Sequence, residues 1–290
     1  MHKISRVLAA VDFSAPARAA FEHALAVARR HGAKLFVIHA VSPQESFSRA
    51  GRERLELSTS LRRRAREAGV DAHLRVQHGD PVDVILLHAD SLRPDVIVIG
   101  THQRSGLARL RAGSISTRIA AKAKVPVLLV PAGAADRPIV PFGHVAVAVD
   151  FSDASSRAVE QALAIADETG DRVTLLHVVP GFTSVPPHLH RYGVSEYQQQ
   201  LTSDARRRLQ LAVPARRRSP AGVHTRVLVG DTATAIDRTV KAMGADLLVV
   251  GVSDRGALSK ALFGTTGARL LETSDVPMLA VPVAPARIAA

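Results

Sequence analysis

With 290 residues, 47% of them hydrophobic, the chain is long enough for two domains that each bury a core, and its lack of cysteine excludes disulfides, thiolate metal sites and cysteine nucleophiles. The formal net charge is +12 and uneven: residues 1–140 hold 22 Lys/Arg against 12 Asp/Glu, so most of the surplus lies in the first half. Aromatic residues are only 3%, and no nucleic-acid motif accompanies the arginine runs Arg62-Arg63-Arg64-Ala65-Arg66, Arg206-Arg207-Arg208 and Arg216-Arg217-Arg218, so solvated helix faces are expected there and a nucleic-acid partner is not.

In chain order, β-branched runs near 4–11, 34–41, 72–78, 95–99 and 126–130 read as strands. Between them, Ala17 to Arg30 repeats apolar residues at Ala20, Ala24, Val27 and Ala28, the stripe of a helix with one buried face, and helices also fit 49–68, 81–92 and 114–123. This alternation is that of βαβ units and a parallel sheet. No signal-like segment precedes the first strand and no apolar run approaches the roughly 18 residues of a membrane span, so a cytoplasmic protein without membrane contact is expected.

The order then repeats. Val11-Asp12-Phe13-Ser14 returns as Val149-Asp150-Phe151-Ser152, an offset of 138, and Val96-Ile97-Val98-Ile99-Gly100 returns as Leu247-Leu248-Val249-Val250-Gly251, an offset of 151. Strands are expected near 144–149, 172–179, 223–229, 246–250 and 277–281, with a linker from Pro131 to Gly143. The 13 extra residues fall around Gly181 to Tyr192, a Pro-bearing loop whose His188 and His190 lack the spacing of a metal site; a surface insertion is the simpler reading, a lid the alternative.

Ligands of open parallel sheets sit outside the carboxyl ends of the strands, where the strand order reverses. Asp12 and Asp150 are read as ending the first strands of the two halves, Gly100 and Gly251 the fourth, so these residues should converge. Glycine there permits either close backbone approach or positive φ. Thirteen residues beyond each glycine come Gly113-Ser114 and Gly264-Thr265, where a basic loop turns into a helix whose free N–H groups and dipole favour an anion such as phosphate. His39 and His177, at equivalent strand ends, are read as satisfying local hydrogen bonds.

This layout resembles the universal stress protein family, whose nucleotide-binding members follow a first strand ending in Asp with Gly, two residues, Gly, nine residues, then Gly before Ser or Thr. Supporting motifs are Ala10 to Ser14 and Ala148 to Ser152, His39 and His177, Gly79-Asp80-Pro81 and Gly230-Asp231-Thr232, and the closing Val125 to Val130 and Val276 to Val281. The resemblance implies an α/β fold: two tandem five-stranded, parallel, doubly wound domains, Rossmann-like and of the adenine nucleotide alpha hydrolase type, over 1–132 and 142–283. These would pack through their final strands as an intrachain pseudo-dimer, with a homodimer of whole chains as a further option. It implies stress-related regulation through unidentified protein partners, with adenine nucleotide as ligand: ATP, accompanied by Mg.

Carried over residue by residue, the resemblance places Asp12 at adenine and ribose, Ala40 at the base, Gly100, Gln103 and Gly113 in the phosphate loop, and Ser114 and Ser116 at phosphate oxygens. The second set is Asp150, Val178, Gly251, Asp254, Gly264, Thr265 and Thr266. Both halves depart at the middle glycine. Gln103 is neutral with donors to offer, whereas Asp254 sets a carboxylate against phosphate, so binding is expected in at least one half and, if only one site works, in the first. The substitutions are also the evidence for the alternative, a nucleotide-independent adaptor or scaffold. Absence of a Gly-x-x-x-x-Gly-Lys-Ser/Thr loop and of a Gly-x-Ser-x-Gly elbow leaves weak ATP hydrolysis as the most enzymatic reading.

Overall fold

Along the first strand side chains alternate between two apolar layers: Val7, Ala9 and Val11 join one cluster, Leu8 and Ala10 the other. A strand buried on both faces belongs to a sheet covered by helices on each side. The structure, a computed structural model, describes residues 4–12, 14–41, 50–101, 115–136, 142–181, 194–213, 222–252 and 264–283. In the first half β1 (Arg6–Ala10), α1 (Ala15–His31), β2 (Lys34–Val41), α2 (Ala50–Glu67), β3 (Ala72–His78), α3 (Pro81–Leu92), β4 (Val96–Thr101), α4 (Ile115–Lys122) and β5 (Val127–Pro131) alternate strictly. The second half repeats them as β6 (His144–Ala148), α5 (Asp153–Thr169), β7 (Arg172–Val179), α6 (Val194–Ala212), β8 (Val223–Val229), α7 (Thr232–Ala242), β9 (Leu247–Val252), α8 (Gly264–Thr273) and β10 (Met278–Pro282).

All ten strands form one sheet in the order β3-β2-β1-β4-β5-β10-β9-β6-β7-β8. Within each half the strands are parallel; the seam between β5 and β10 is antiparallel. Leu128 faces Leu279 across that seam, and these are equivalent positions of the two halves. A local two-fold axis therefore passes between them, as in an isologous dimer. The first two helices of each half cover one face, where Phe21, Leu61, Leu163 and Leu209 join the first cluster. The last two cover the other, through Ile85, Ile119, Ile236 and Leu270.

Local chemistry sets the ends of α1. Ser14 accepts the Ala17 amide at 3.3 Å, Pro16 lies in the first turn, and Gly32 terminates the helix at φ +61°. The helix thus begins two residues before the Ala17 that periodicity marks, because caps and proline carry no apolar period. Asp95 accepts the Ser5 and Arg6 amides at 2.6 and 2.9 Å, and its equivalent Asp246 accepts the His144 amide at 3.0 Å, so each half anchors the start of its first strand in the same way. The linker, expected as irregular chain, contains a 3-10 turn over Ala132–Asp136 whose fully buried Ala134 joins the first cluster.

Across the seam the C-terminal ends of α1 and α5 meet. Arg30 donates to the Glu168 carbonyl at 3.1 Å and His31 Nδ1 lies 3.4 Å from the Glu168 carboxylate. Arg30 and Glu168 are themselves equivalent positions, at the offset of 138 that relates the first strands. Burial pushes the His31 pKa down, with Glu168 opposing and Arg30 assisting. No described helix is long and apolar enough to cross a membrane.

Candidate functional site

The strand order reverses around β1, which has β2 on one side and β4 on the other. Ala10 pairs with Ile99, so Val11-Asp12 and Gly100-Thr101 emerge together at the carboxyl edge; in the second half Ala148 pairs with Val250, bringing Val149-Asp150 beside Gly251. Asp12 and Asp150 do not end their strands: β1 stops at Ala10 and β6 at Ala148. Each carboxylate turns back on the chain, Asp12 Oδ1 accepting the Ser14 amide at 2.8 Å and Asp150 Oδ1 the Ser152 amide at 2.9 Å. Such Asx-type bonds hold an exposed carboxylate at the mouth while it feeds the N-cap serine of the following helix.

Among the described residues, the second mouth carries the more hydrogen bonds. Ser152 Oγ also donates to Asp150 Oδ1, at 2.5 Å. Desolvation raises the Asp150 pKa, but hydrogen bonds from the Ser152 hydroxyl and amide and from Ser155 outweigh it and hold the carboxyl below its usual range. Phe151, between Asp150 and Ser152, adopts φ +65°, a left-handed conformation costing a side-chain-bearing residue about 1–2 kcal/mol. Its ring is held 4.4 Å from the His177 ring, with the Arg208 guanidinium 3.9 Å from its centroid. His177 Nδ1 is 2.6 Å from the Val149 carbonyl and His39 Nδ1 is 2.9 Å from the Val11 carbonyl, the local strand-end role expected of both.

Gly100 and Gly251 have a cause in the fold itself. A Cβ on Gly100 would stand 2.5 Å from the Pro16 carbonyl carbon and oxygen, and one on Gly251 would stand 2.6 Å from the Ser155 nitrogen and closer still to the Ala154 carbonyl. Neither glycine has positive φ. The first turns of α1 and α5 press directly on the ends of β4 and β9, so close approach is the reason for glycine, with or without a ligand.

Of the other candidates, Ala40 and Val178 are half-buried on the sheet face covered by the last two helices of each half. Ser116 is buried in the first turns of α4 on that same side, Gly264 and Thr265 open α8, and Thr266 follows half-buried. The fold thus brings Asp12, Ala40, Gly100 and the start of α4 to one edge, and Asp150, Val178, Gly251 and the start of α8 to the equivalent edge. Gln103, Gly113, Ser114 and Asp254, with His188 and His190, lie outside the described residues.

Sequence reasoning noted Asp80 and Asp231 without a role. Both are helix N-caps: Asp80 Oδ1 accepts the Val82 and Asp83 amides at 2.9 and 3.3 Å, and Asp231 Oδ1 accepts the Thr234 amide at 3.1 Å. The remaining oxygen reaches the helix that follows the fourth strand of its half, Arg118 of α4 at 3.7 Å from Asp80 and Arg269 of α8 at 2.8 Å from Asp231. The Arg269 hydrogen bond, with those from Thr234, pushes the Asp231 pKa down to about 2. The signal was in the sequence, since both residues of the pair recur at an offset of 151.

Comparison with known proteins matches this double layout. The universal stress protein family model fits residues 3–131 and again 141–282. A universal stress protein of Mycolicibacterium smegmatis is 27% identical over 95% of this chain and 96% of its own length. A Thermus aquaticus relative, "Universal stress protein in QAH/OAS sulfhydrylase 3'region", is 37% identical over 43% of this chain and 96% of its own. The crystal structure of a universal stress protein from Archaeoglobus fulgidus shares the fold at a TM-score of 0.70, with 19% identity and 96% of each chain covered.

Proposed function

Since the chain belongs to the universal stress protein family, we propose that it is a stress-response regulator whose first half binds an adenine nucleotide, ATP with Mg, as a signal that changes the surfaces offered to protein partners. The observation that carries this reading is the convergence of Asp12, Ala40, Gly100 and the start of α4 at the carboxyl edge, where the strand order reverses. The exposed Asp12 carboxylate, steadied through Ser14, fits a ribose hydroxyl or base amine, half-buried Ala40 fits the apolar face of a base, and the N-terminal turn of α4 fits phosphate. Bound Mg would supply positive charge against the phosphates. As a switch, the nucleotide acts only through a difference in affinity for two conformations.

A second reading, a nucleotide-independent scaffold, is favoured by one specific observation: the strand-end glycines are required by helix packing alone. The two are separated by denaturing freshly purified chain, isolating the released small molecules and counting adenine nucleotide, before and after incubation with ATP and desalting. The sensor reading expects about one equivalent per chain, lost in Asp12→Ala and kept in Asp150→Ala. Two equivalents would place a working site in the second half as well. None in either sample, with a null direct titration, leaves the scaffold.

A further inference from the structure

The outer edge of the first half carries a groove that neither reading uses. It has a volume of about 680 Å³ and runs between α2 and β3. Ala65, Val70, Ala72 and Leu74 form an apolar floor beside Arg62 and Arg66 on the α2 face of the sheet, while Phe36, His73 and Arg75 line the opposite face at the same edge. Arg62 and Arg66 stand one helical turn apart on α2 and line the same wall. All three guanidiniums are exposed, and none has a carboxylate partner among the described residues. The nearby carboxylate, Asp71, is 3.4 Å from His73, whose ring stacks on Phe36 at 5.4 Å. No described strand lies beyond β3, the terminal strand of the sheet, whose outer backbone groups are those of an edge.

We propose that this edge is a docking site for an acidic, extended peptide segment of a partner protein, which adds as a strand to β3 while its carboxylates meet Arg62, Arg66 and Arg75. Strand addition satisfies edge N–H and C=O groups with main-chain hydrogen bonds, alternate side chains of the peptide turn to the two faces, toward the floor beside Arg62 and Arg66 on one and toward Phe36 and Arg75 on the other, and the guanidiniums select charge on both. A second copy of the chain does not fit this place. The opposite edge strand, β8, carries His224 and Arg226 at the positions of His73 and Arg75, so edge-to-edge joining would set like charges against each other.

The second half supplies a built-in control. There Thr174 stands at the position of Phe36 and is taken up by a 2.8 Å hydrogen bond with His144. Aligning the buried pair Ala205 and Leu209 with Leu61 and Ala65 places Gln210 opposite Arg66. Its edge keeps the basic strand and loses both the aromatic residue of one face and a wall arginine of the other. Docking at β3 is therefore separable from attraction to any basic edge.

The test uses the full chain and a labelled peptide of about ten residues repeating Glu-Glu-Val-Thr, so that each face of the added strand carries carboxylates. Two controls accompany it: a version with Lys for Glu, and an acidic version interrupted by proline, which keeps the charge and cannot complete the edge hydrogen bonds. Fluorescence anisotropy is expected to show salt-sensitive binding of the acidic peptide, weakened about tenfold or more by Arg62→Gln with Arg66→Gln and by the proline interruption. Hydrogen exchange is expected to slow in β3 and not in β8. Because neither arginine holds an ion pair, the variant should retain its unfolding midpoint. Absence of binding, equal binding of the proline peptide, equal protection of β8, or tighter capture of a single-stranded oligonucleotide would each overturn the proposal.

Discussion

Arg64 and Arg208 are the third residues of matching arginine triplets, yet the two halves use them differently. In the first half Arg64 makes a two-pronged contact with Glu22, both bonds at 2.9 Å, and ties α2 to α1. In the second half the residue equivalent to Glu22, Glu160, is 3.4 Å from Arg157 on its own helix, and Arg208 lies over the Phe151 ring instead. The second mouth is thus braced through its aromatic residue and through Ser152 and Ser155 on Asp150, where the first half has Ala17 in place of Ser155. Among the described residues, one arginine ties the second mouth to α6 and the other ties α2 to α1.

Substitution of the strand-end glycines should have the largest effect. Gly100→Ala and Gly251→Ala each push a methyl group into helix backbone and should destabilise by about 2–3 kcal/mol, the second more than the first because its contacts are closer. Urea unfolding checks the order, and a cost near zero at either site would break the claim that packing requires glycine.

Acidification comes next. Burial pushes the pKa values of His23, His31, His88 and His144 below the ordinary 6.5. Unfolded histidine binds protons that the folded form resists, so their contribution is complete above pH 6.5 and is lost as pH falls through the lower folded values. The urea midpoint should fall steadily from pH 7 toward pH 5. The halves differ in where this acts, His23 bonding within its own helix to Ala19 and His144 joining β6 to Thr174 of β7. Side-chain NMR titration should therefore show amide shifts confined to α1 in one case and spread across two strands in the other.

The smallest effect should come from the arginines themselves. Arg64→Ala and Arg208→Ala should each cost about 1 kcal/mol or less, since both side chains are solvent-exposed. Added salt should erode the first cost more than the second, because an ion pair is screened more than a ring contact. Equal salt dependence would remove the distinction between the two braces.

Much of the fold was legible because its signals are local or repeated. Strands such as Val96 to Ile99 are β-branched runs, and the offsets of 138 and 151 expose the duplication without any contact information. Caps, closeness and partner choice were not legible. Ser14 and Pro16 start α1 ahead of its apolar stripe, and nothing in the string says that α1 presses on Gly100. The identical triplets at Arg62 and Arg206 give no hint that Glu22 accepts one arginine while Glu160 turns to Arg157. For the candidate site, sequence order brought Asp12 and Gly100 together correctly, but it placed the aspartates on the strands, where the folded chain uses them to fasten the turn beyond.

The seam between β5 and β10 has a consequence for inheritance as much as for shape. Two separate subunits that met through such a seam would come apart on dilution and trade mates with any similar subunit in the cell. Here the mate is supplied by the same translation product, at an effective concentration that dilution cannot lower. In a symmetric pair, position 30 would face another copy of itself; here it holds arginine on one side and glutamate, as Glu168, on the other. Covalent marriage allows each partner to drift toward its own trade, and the Glu168 carboxylate beside His31, where a symmetric pair would set arginine against that histidine, records a drift that a freely exchanging subunit, obliged to fit its twin, could not have kept.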